Sequence, residues 1–270
     1  MEIIKNILDL NKAINNFKNF GFVPTMGGIH EGHISLIKNS QKICKKTIVS
    51  IFVNPTQFND KSDFKKYPRN LIQDIKILKK LKVDYLFIPT EKEIYKNKNK
   101  IFKLSKNDKI LCAKYRKDHF EGVLNVMNRL LKLIKVKHVF MGEKDFQQIF
   151  LIKKYLAKKY KIKIINCRTV RDKNKIALST RNNLLNKKNY YKVFLITKFL
   201  FKTKRIIKFA KLDLSGYLKL IIQILEKIYD IKIDYLELRN EKDLKNSNLR
   251  RKYRLFIAYY VDKIRLIDNV

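Results

Sequence analysis

The chain has 270 residues, of which 46% are hydrophobic and 32% charged. That is enough to bury one large domain, or one domain beside a smaller one. Lys and Arg number 62 against 24 Asp and Glu, a formal net charge of +38. Such a charge invites a nucleic-acid reading. The lysines, however, are spread along the whole chain rather than gathered in one arm or helix. Lys, Asn, Ile, Tyr and Phe are abundant while Gly, Pro, Ala and Trp are scarce, which is the profile of A/T-rich codon usage. A dedicated footprint would be clustered, so no specific nucleic-acid partner is expected. Cys44, Cys112 and Cys167 are odd in number and far apart, which argues against a disulfide framework or a zinc site and fits a reducing cytosol. The opening "MEIIKNILDLNKAINNF" has no signal-peptide core, and no apolar run approaches the ~18 residues of a membrane span. The expectation is a cytoplasmic protein with no membrane partner.

Proline punctuates the first third. "FGFVP" closes at Pro24, "TIVSIFVNP" at Pro55 and "VDYLFIP" at Pro89, and each reads as a strand, since proline cannot donate to a sheet ladder. "VKHVFMG" (Val136–Gly142) and "KIKIINCRTV" (Lys161–Val170) resemble them. Helical spacing lies between. "ISLIKNSQKI" follows the first strand. Leu71, Ile72, Ile75, Leu78 and Leu81 form a helix face after the second. Val123, Val126, Met127, Leu130, Leu131 and Ile134 form another before the fourth, and Ile149, Ile152, Tyr155 and Leu156 follow it. This alternation predicts an α/β fold with a mostly parallel, doubly wound sheet over 1–170. From Arg171 two helical stretches and three short strands, "IKIDYLEL", "RLFIAYYV" and "KIRLID", predict a smaller α+β domain over 171–270. The polar stretch Tyr95–Lys109, with Lys98, Lys100 and Lys106, reads as a mobile surface excursion.

Ligands of open α/β sheets bind beyond the carboxyl ends of the strands, and four chemically loaded stretches fall there. "PTMGGIHEGH" holds Gly27, Gly28, Gly32, His30 and His33 in a chain with only seven Gly and four His. Glycine permits close backbone approach, a helix opening near Gly32 offers unpaired N–H groups to phosphate, and the two imidazoles share one face of the turn. They could donate to phosphate oxygens or, when protonated, offset charge. The plainer alternative is a Gly-rich turn with two surface histidines. "GEKDFQQ" offers Lys144 for phosphate charge with Asp145 and Gln148 as polar contacts, or else only a charged helix start. "LSTR" (Leu178–Arg181) offers two hydroxyls and a guanidinium, or else a capped turn. "VNPTQF" differs: Asn54 and Gln57 are neutral and suit a small polar substrate. No GxGxxG and no Ser-His-Asp or Cys-His arrangement is present.

Together "PTMGGIHEGH", "VSIFVNPTQF", "GEKDFQQ" and "ALSTRN", in order and extending to "RLIDN" near the C-terminus, resemble the pantoate–β-alanine ligase family. The HxGH element alone is shared with other nucleotidyltransferases and with class I aminoacyl-tRNA synthetases. The resemblance implies a Rossmann-like N-terminal domain, a smaller C-terminal lid and a homodimer. It implies Mg2+ with ATP as co-substrate, and two steps: pantoate attacks the α-phosphate of ATP to give pantoyl-adenylate and diphosphate, and β-alanine then displaces AMP to give pantothenate. It places catalysis on His30, His33, Lys144, Ser179 and Arg181, with His33 at the position usually called the proton donor. It places ATP on Met26, Gly27, Gly28, Ile29, His30, Glu31, Gly32 and His33, on Gly142, Glu143, Lys144 and Asp145, on Val170, and on Leu178, Ser179, Thr180 and Arg181. Gln57 and Gln148 stand at the pantoate positions, Gln57 also near β-alanine, with Asn54 beside them. The metal ligands are left unassigned. Two positions depart from the pattern. "RKDHF" (Arg116–Phe120) replaces a frequent "RPGHF", and Thr180 replaces a usual serine. The alternatives are an HxGH enzyme that adenylylates another small acid, and a basic nucleic-acid-binding protein.

Dispersed lysines give field without geometry. Titration with duplex DNA or RNA should therefore show only weak, sequence-indifferent binding that fades by ~0.2 M salt. A tight, sequence-selective complex at physiological salt would promote the binding-protein reading.

Overall fold

A computed structural model describes residues 1–15, 19–59, 61–95, 102–209, 213–247, 249 and 252–270. The chain divides into two compact units, Met1–Val170 and Arg171–Val270.

The first unit is built on six strands, β1 (Glu2–Ile4), β2 (Phe20–Thr25), β3 (Lys46–Ile51), β4 (Tyr85–Phe87), β5 (His138–Gly142) and β6 (Lys163–Cys167). They lie in the order β1-β4-β3-β2-β5-β6, and each pair is parallel. The expected five-strand core is thus joined by an edge strand that the sequence reading missed. β1 is three residues long and only Ile4 of it is buried, too little for a hydrophobic period.

Helices lie between the strands as expected, and the helix Glu31–Ile43 packs on β2, β3 and β5. Gly21 allows this closeness: a Cβ there would stand 2.1 Å from Ser40 Oγ and 2.9 Å from Phe140 Cε2. Val23, Ile37, Val49, Leu78, Leu86 and Phe140 share one buried cluster. The sequence reverses direction across the sheet between β2 and β5. Their ladder holds only Gly21↔His138 and Phe22↔Val139, so among the described residues their carboxyl ends are not paired with each other. Pro24 is tolerated in this central strand because that ladder has already ended. A crevice of this kind, at the strand-order switch, is where open α/β sheets bind ligands.

Two expectations change. The helix Leu71–Lys80 exposes Leu71 and Ile72, while its buried positions are Leu78 and the acidic Asp74. An apolar period places the face, but a buried carboxylate that serves a neighbouring loop is invisible to it. Of the stretch Tyr95–Lys109, residues 96–101, including Lys98 and Lys100, lie outside the described residues. The described part is held down rather than extended: Asp108 is buried and accepts hydrogen bonds from Lys154 Nζ, Tyr155 Oη and Ser105 Oγ at 2.6–2.8 Å. Lys106 remains exposed.

The second unit has helices Lys187–Phe209 and Leu214–Tyr229 and an antiparallel sheet β7-β8-β9, with β7 Lys232–Asn240, β8 Tyr253–Val261 and β9 Ile264–Asn269. Its core includes Val193, Ile196, Leu225, Leu255 and Ile257. The three cysteines are free and buried.

The turn Pro55–Gln57 is seated directly on the helix His119–Ile134, where a Cβ on Gly122 would meet the Thr56 carbonyl oxygen at 2.4 Å. Backbone cannot yield as a flexible side chain does. Gly122→Ala should cost about 1–3 kcal/mol by overpacking, read as a lowered midpoint in urea. An unchanged midpoint would mean that the turn is loosely seated.

Candidate active site

The loop after β2 turns on two left-handed glycines, Gly27 (φ 81°) and Gly28 (φ 63°). The buried Asp74 carboxylate pins it, with Oδ2 accepting from the Gly28 N–H at 2.9 Å and Oδ1 from the Ile29 N–H at 2.7 Å. The Gly27 N–H donates to Thr25 Oγ1 at 3.2 Å. Asp74 is not among the residues expected from sequence to shape this loop; a polar residue in an otherwise apolar helical period is its visible trace.

The helix then starts at Glu31 with His30 as its N-cap. The Gly32 N–H donates to His30 Nδ1 at 3.1 Å, and the His30 N–H donates to His33 Nδ1 at 3.4 Å. Gly32 is required here, since a Cβ would lie 2.7 Å from the His30 ring. A backbone N–H can only donate, so both Nδ1 atoms accept and each neutral ring carries its proton on Nε2. The rings stand 4.2 Å apart, centroid to centroid.

This alters the expected chemistry in two ways. The N–H groups of Gly27, Gly28, Ile29, His30 and Gly32 are engaged within the protein, so the loop offers a ligand its imidazole Nε2–H groups more than its backbone. The rings are also uncharged near neutrality. Burial, with the nearby Lys144 ammonium as a second cause, pushes His30 down to about 4 against an opposing pull from Asp145. Burial, then His30 and Lys144, pushes His33 down to about 3. The protonated form considered from sequence is therefore disfavoured.

Lys144, which acts on both rings, belongs to the loop after β5. Lys144 lies in the short turn Glu143–Asp145 beyond β5 and pairs with Asp145 at 3.1 Å. Gly142, with nothing within 4 Å of where its Cβ would be, leaves open space at the strand end. In the helix Phe146–Ile152 the two glutamines divide their work. Gln147 is buried, accepting from the Cys112 N–H and donating to the Ile110 carbonyl. Gln148 is half-buried, and among the described residues its carboxamide has no partner.

The loop after β3 joins the same group, since Gln57 Nε2 donates to Met26 Sδ. Asn54 is buried and its amide is engaged. Oδ1 accepts from Thr56 and from Tyr95 Oη, while Nδ2 donates to Gln57 Oε1 at 3.3 Å and to the Gly122 carbonyl at 3.1 Å. It holds Gln57 rather than presenting itself. The "RKDHF" stretch does the same from the other side. His119 Nδ1 donates to the Gln57 carbonyl at 2.6 Å, so its Nε2 accepts from Arg116 at 2.9 Å. Asp118 adopts φ 58°, a left-handed conformation that Asp tolerates better than most residues. The loop therefore keeps its turn without the Pro-Gly pair.

The remaining candidates are described within the second unit, apart from Val170, the half-buried last residue of the first. Ser179 Oγ accepts from the Arg181 N–H at 3.3 Å and caps the short turn Thr180–Leu184. Thr180 is buried and Leu178 and Arg181 are half-buried. Capping is thus the role the structure gives Ser179. No three His, Cys, Asp or Glu residues among those described form a metal cluster.

In the unfolded chain the imidazoles bind protons below pH 6.5, but in the fold only near pH 4 and 3. The unfolded state therefore binds more protons across that window, and stability falls as pH falls through it. Thermal melts from pH 7 to 4.5 should show this slope, and His33→Gln should flatten it. An equal slope in the variant would contradict the shifted pKa.

Comparison with known proteins gives the family. A family model described as Pantoate-beta-alanine ligase matches residues 2–270. A pantothenate synthetase of Endomicrobium trichonymphae is 40% identical, covering 100% of this chain and 97% of the relative. One of Flavobacterium psychrophilum is 37% identical, covering 97% and 94%. A solved pantoate-beta-alanine ligase of Francisella tularensis, complexed with beta-gamma ATP and beta-alanine, is 38% identical with a TM-score of 0.85, covering 100% of this chain and 97% of that one. A pantothenate synthetase structure from Thermus thermophilus reaches a TM-score of 0.89 at 26% identity, covering 100% and 99%. The chain belongs to the pantoate-beta-alanine ligase family.

Proposed function

We propose that the crevice between β2 and β5 is where this ATP-dependent ligase activates pantoate, and that the neutral imidazole pair supplies the transition-state donors. In the first step a pantoate carboxylate oxygen attacks the α-phosphorus of ATP. The bond to the bridging oxygen breaks and diphosphate leaves. In the second, the β-alanine amine attacks the acyl carbonyl, AMP departs and pantothenate forms. No protein nucleophile is needed, so rate comes from positioning and charge stabilisation.

The observation that carries this reading is the pair of Nδ1-accepting rings at His30 and His33. With Nε2–H the only ring donor left, each imidazole donates to a phosphoryl oxygen without adding a charge that a neighbouring ammonium would repel. Lys144 supplies the positive charge. Gln57 and Gln148 are neutral amides for pantoate, which suits a site that must hold a carboxylate beside a polyphosphate. Asn54, Arg116 and His119 orient Gln57. The family resemblance gives Met26, Gly142, Glu143, Val170, Leu178, Ser179, Thr180 and Arg181 as further nucleotide positions. Mg2+ arriving on the nucleotide would need few protein ligands beside phosphate and water, and the half-exposed Asp145, which pairs with Lys144, would be a carboxylate within this group. When bound, Mg2+ offsets phosphate charge. The homodimer, the cytoplasmic setting and independence from nucleic acid rest on the family resemblance and on composition. No helix among the described residues is long and apolar enough to cross a membrane.

Purified protein with ATP, pantoate and β-alanine should release AMP and diphosphate in equal amounts. His33→Ala should slow diphosphate release by ~10²-fold or more, the scale of a lost transition-state donor, and His33→Gln, which keeps an N–H donor, by less. Gln57→Ala and Gln148→Ala should raise the KM for pantoate and leave ATP binding, measured without pantoate, nearly unchanged. No AMP in the presence of β-alanine, or equal loss of both ligands in the glutamine variants, would contradict the assignment.

A further inference from the structure

The "RLIDN" end of the chain is unused by the site as described, yet it grips the loop that carries Ser179 and Arg181. Asp268 lies on β9, an edge strand of the β7-β8-β9 sheet. Arg171 meets it in a fork, with Nη1 to Oδ2 at 2.7 Å and Nη2 to Oδ1 at 2.8 Å. The same two nitrogens donate to the Lys175 carbonyl at 2.9 Å and the Asn269 carbonyl at 3.0 Å. The guanidinium lies 5.0 Å from the centre of the Phe201 ring. Asp268 Oδ1 also accepts from the Asn269 N–H at 2.7 Å. The side chains are 18% and 7% exposed.

The chain after Arg171 folds back on it. Arg171 and Ala177 form an antiparallel bridge, and Lys175 turns at φ 63°. Asp172 Oδ1 accepts from the N–H groups of Asn174 at 2.8 Å and Ile176 at 2.9 Å, and its other oxygen accepts from Tyr190 Oη. Asn182 Nδ2 donates to the Ala177 carbonyl at 3.1 Å. Ala177 stands immediately before Leu178, Ser179, Thr180 and Arg181. Whatever fixes Arg171 therefore fixes the approach to that loop.

Stability alone is a weak account of this pair. Two desolvated charges recover about what their burial costs, and apolar residues of equal size would often serve the fold as well. A bidentate fork supplies direction that apolar packing does not. We propose that Arg171 and Asp268 are positioning residues, which hold the Ser179–Arg181 loop in register for the ATP phosphates. This rests on the reading that the loop meets the nucleotide.

The test compares Asp268→Asn, Arg171→Lys and Arg181→Ala with the wild type in pantoate-dependent ATP–diphosphate exchange, with melting temperatures alongside. Asp268→Asn and Arg171→Lys should each lose at least ~10-fold in kcat/KM for ATP, on the scale of a small misplacement of a catalytic group. The KM for pantoate should stay within about 2-fold, with melting near that of the wild type. Trypsin should cut the folded variants faster at Lys173 and Lys175. If Asp268→Asn does not fold, Arg171→Ala with and without free guanidinium ion supplies the comparison, and recovery of ATP use with the ion supports the pair. Wild-type kinetics in the pair variants beside a damaged Arg181→Ala would overturn the positioning role alone. So would losses shared equally by ATP and pantoate that follow the melting temperature, or failure of guanidinium to rescue. Undiminished use of ATP by Arg181→Ala would remove the nucleotide reading of the loop, and the proposal with it.

Discussion

Two backbone N–H groups decide what the histidines of this chain can do. Gly32 donates to one imidazole and His30 to the other, and both rings are left with their single proton pointing away from the helix start on Nε2. The arrangement needs His30 at the N-cap and His33 three residues on, with no Cβ at the position between them where the His30 ring folds over. Ser, Asp or Asn would cap such a helix as well or better, but none of them has a rigid ring that accepts on one side and donates from the other. The spacing of the two histidines thus follows from the geometry of a capping box as much as from any ligand.

The rest of the first unit supports this helix start. Asp74 accepts the two N–H groups just before it, at the cost of burying a carboxylate. The sheet order places Lys144 across the unpaired end of β2 and β5, close enough to depress both imidazoles. Asn54, His119 and Arg116 spend their polar groups on Gln57. Buried polar groups, Asp74 and Asn54 among them, thus fix the loops at the strand ends. In the second unit Arg171 and Asp268 pair on the chain that leads into Ser179 and Arg181.

Much of the loop set at the strand ends is legible in the sequence. Strands that stop at Pro24, Pro55 and Pro89, and glycines and histidines concentrated in one loop, leave a clear trace of period and composition. The alternation of β2, β3, β5 and β6 with amphipathic helices gives the parallel sheet. The buried groups that hold those loops leave less. Asp74 interrupts an apolar face and could as easily read as a surface position, because its partners are backbone N–H groups 45 and 46 residues away in sequence. β1 is too short for a period. The backbone N–H groups of the Gly-rich loop look available from sequence because their acceptors are Asp74 and the histidines themselves. Whether an imidazole is charged depends on burial and on a lysine more than a hundred residues distant, which no local pattern records.

Imidazole 15N resonances report directly whether His30 and His33 are neutral Nε2–H donors. Long-range 1H–15N spectra of ring-labelled protein at pH 7 should show both residues as the Nε2–H tautomer, with protonation only below about pH 5. Nδ1–H tautomers, or titration near the ordinary pKa of 6.5, would contradict the neutral Nε2–H state.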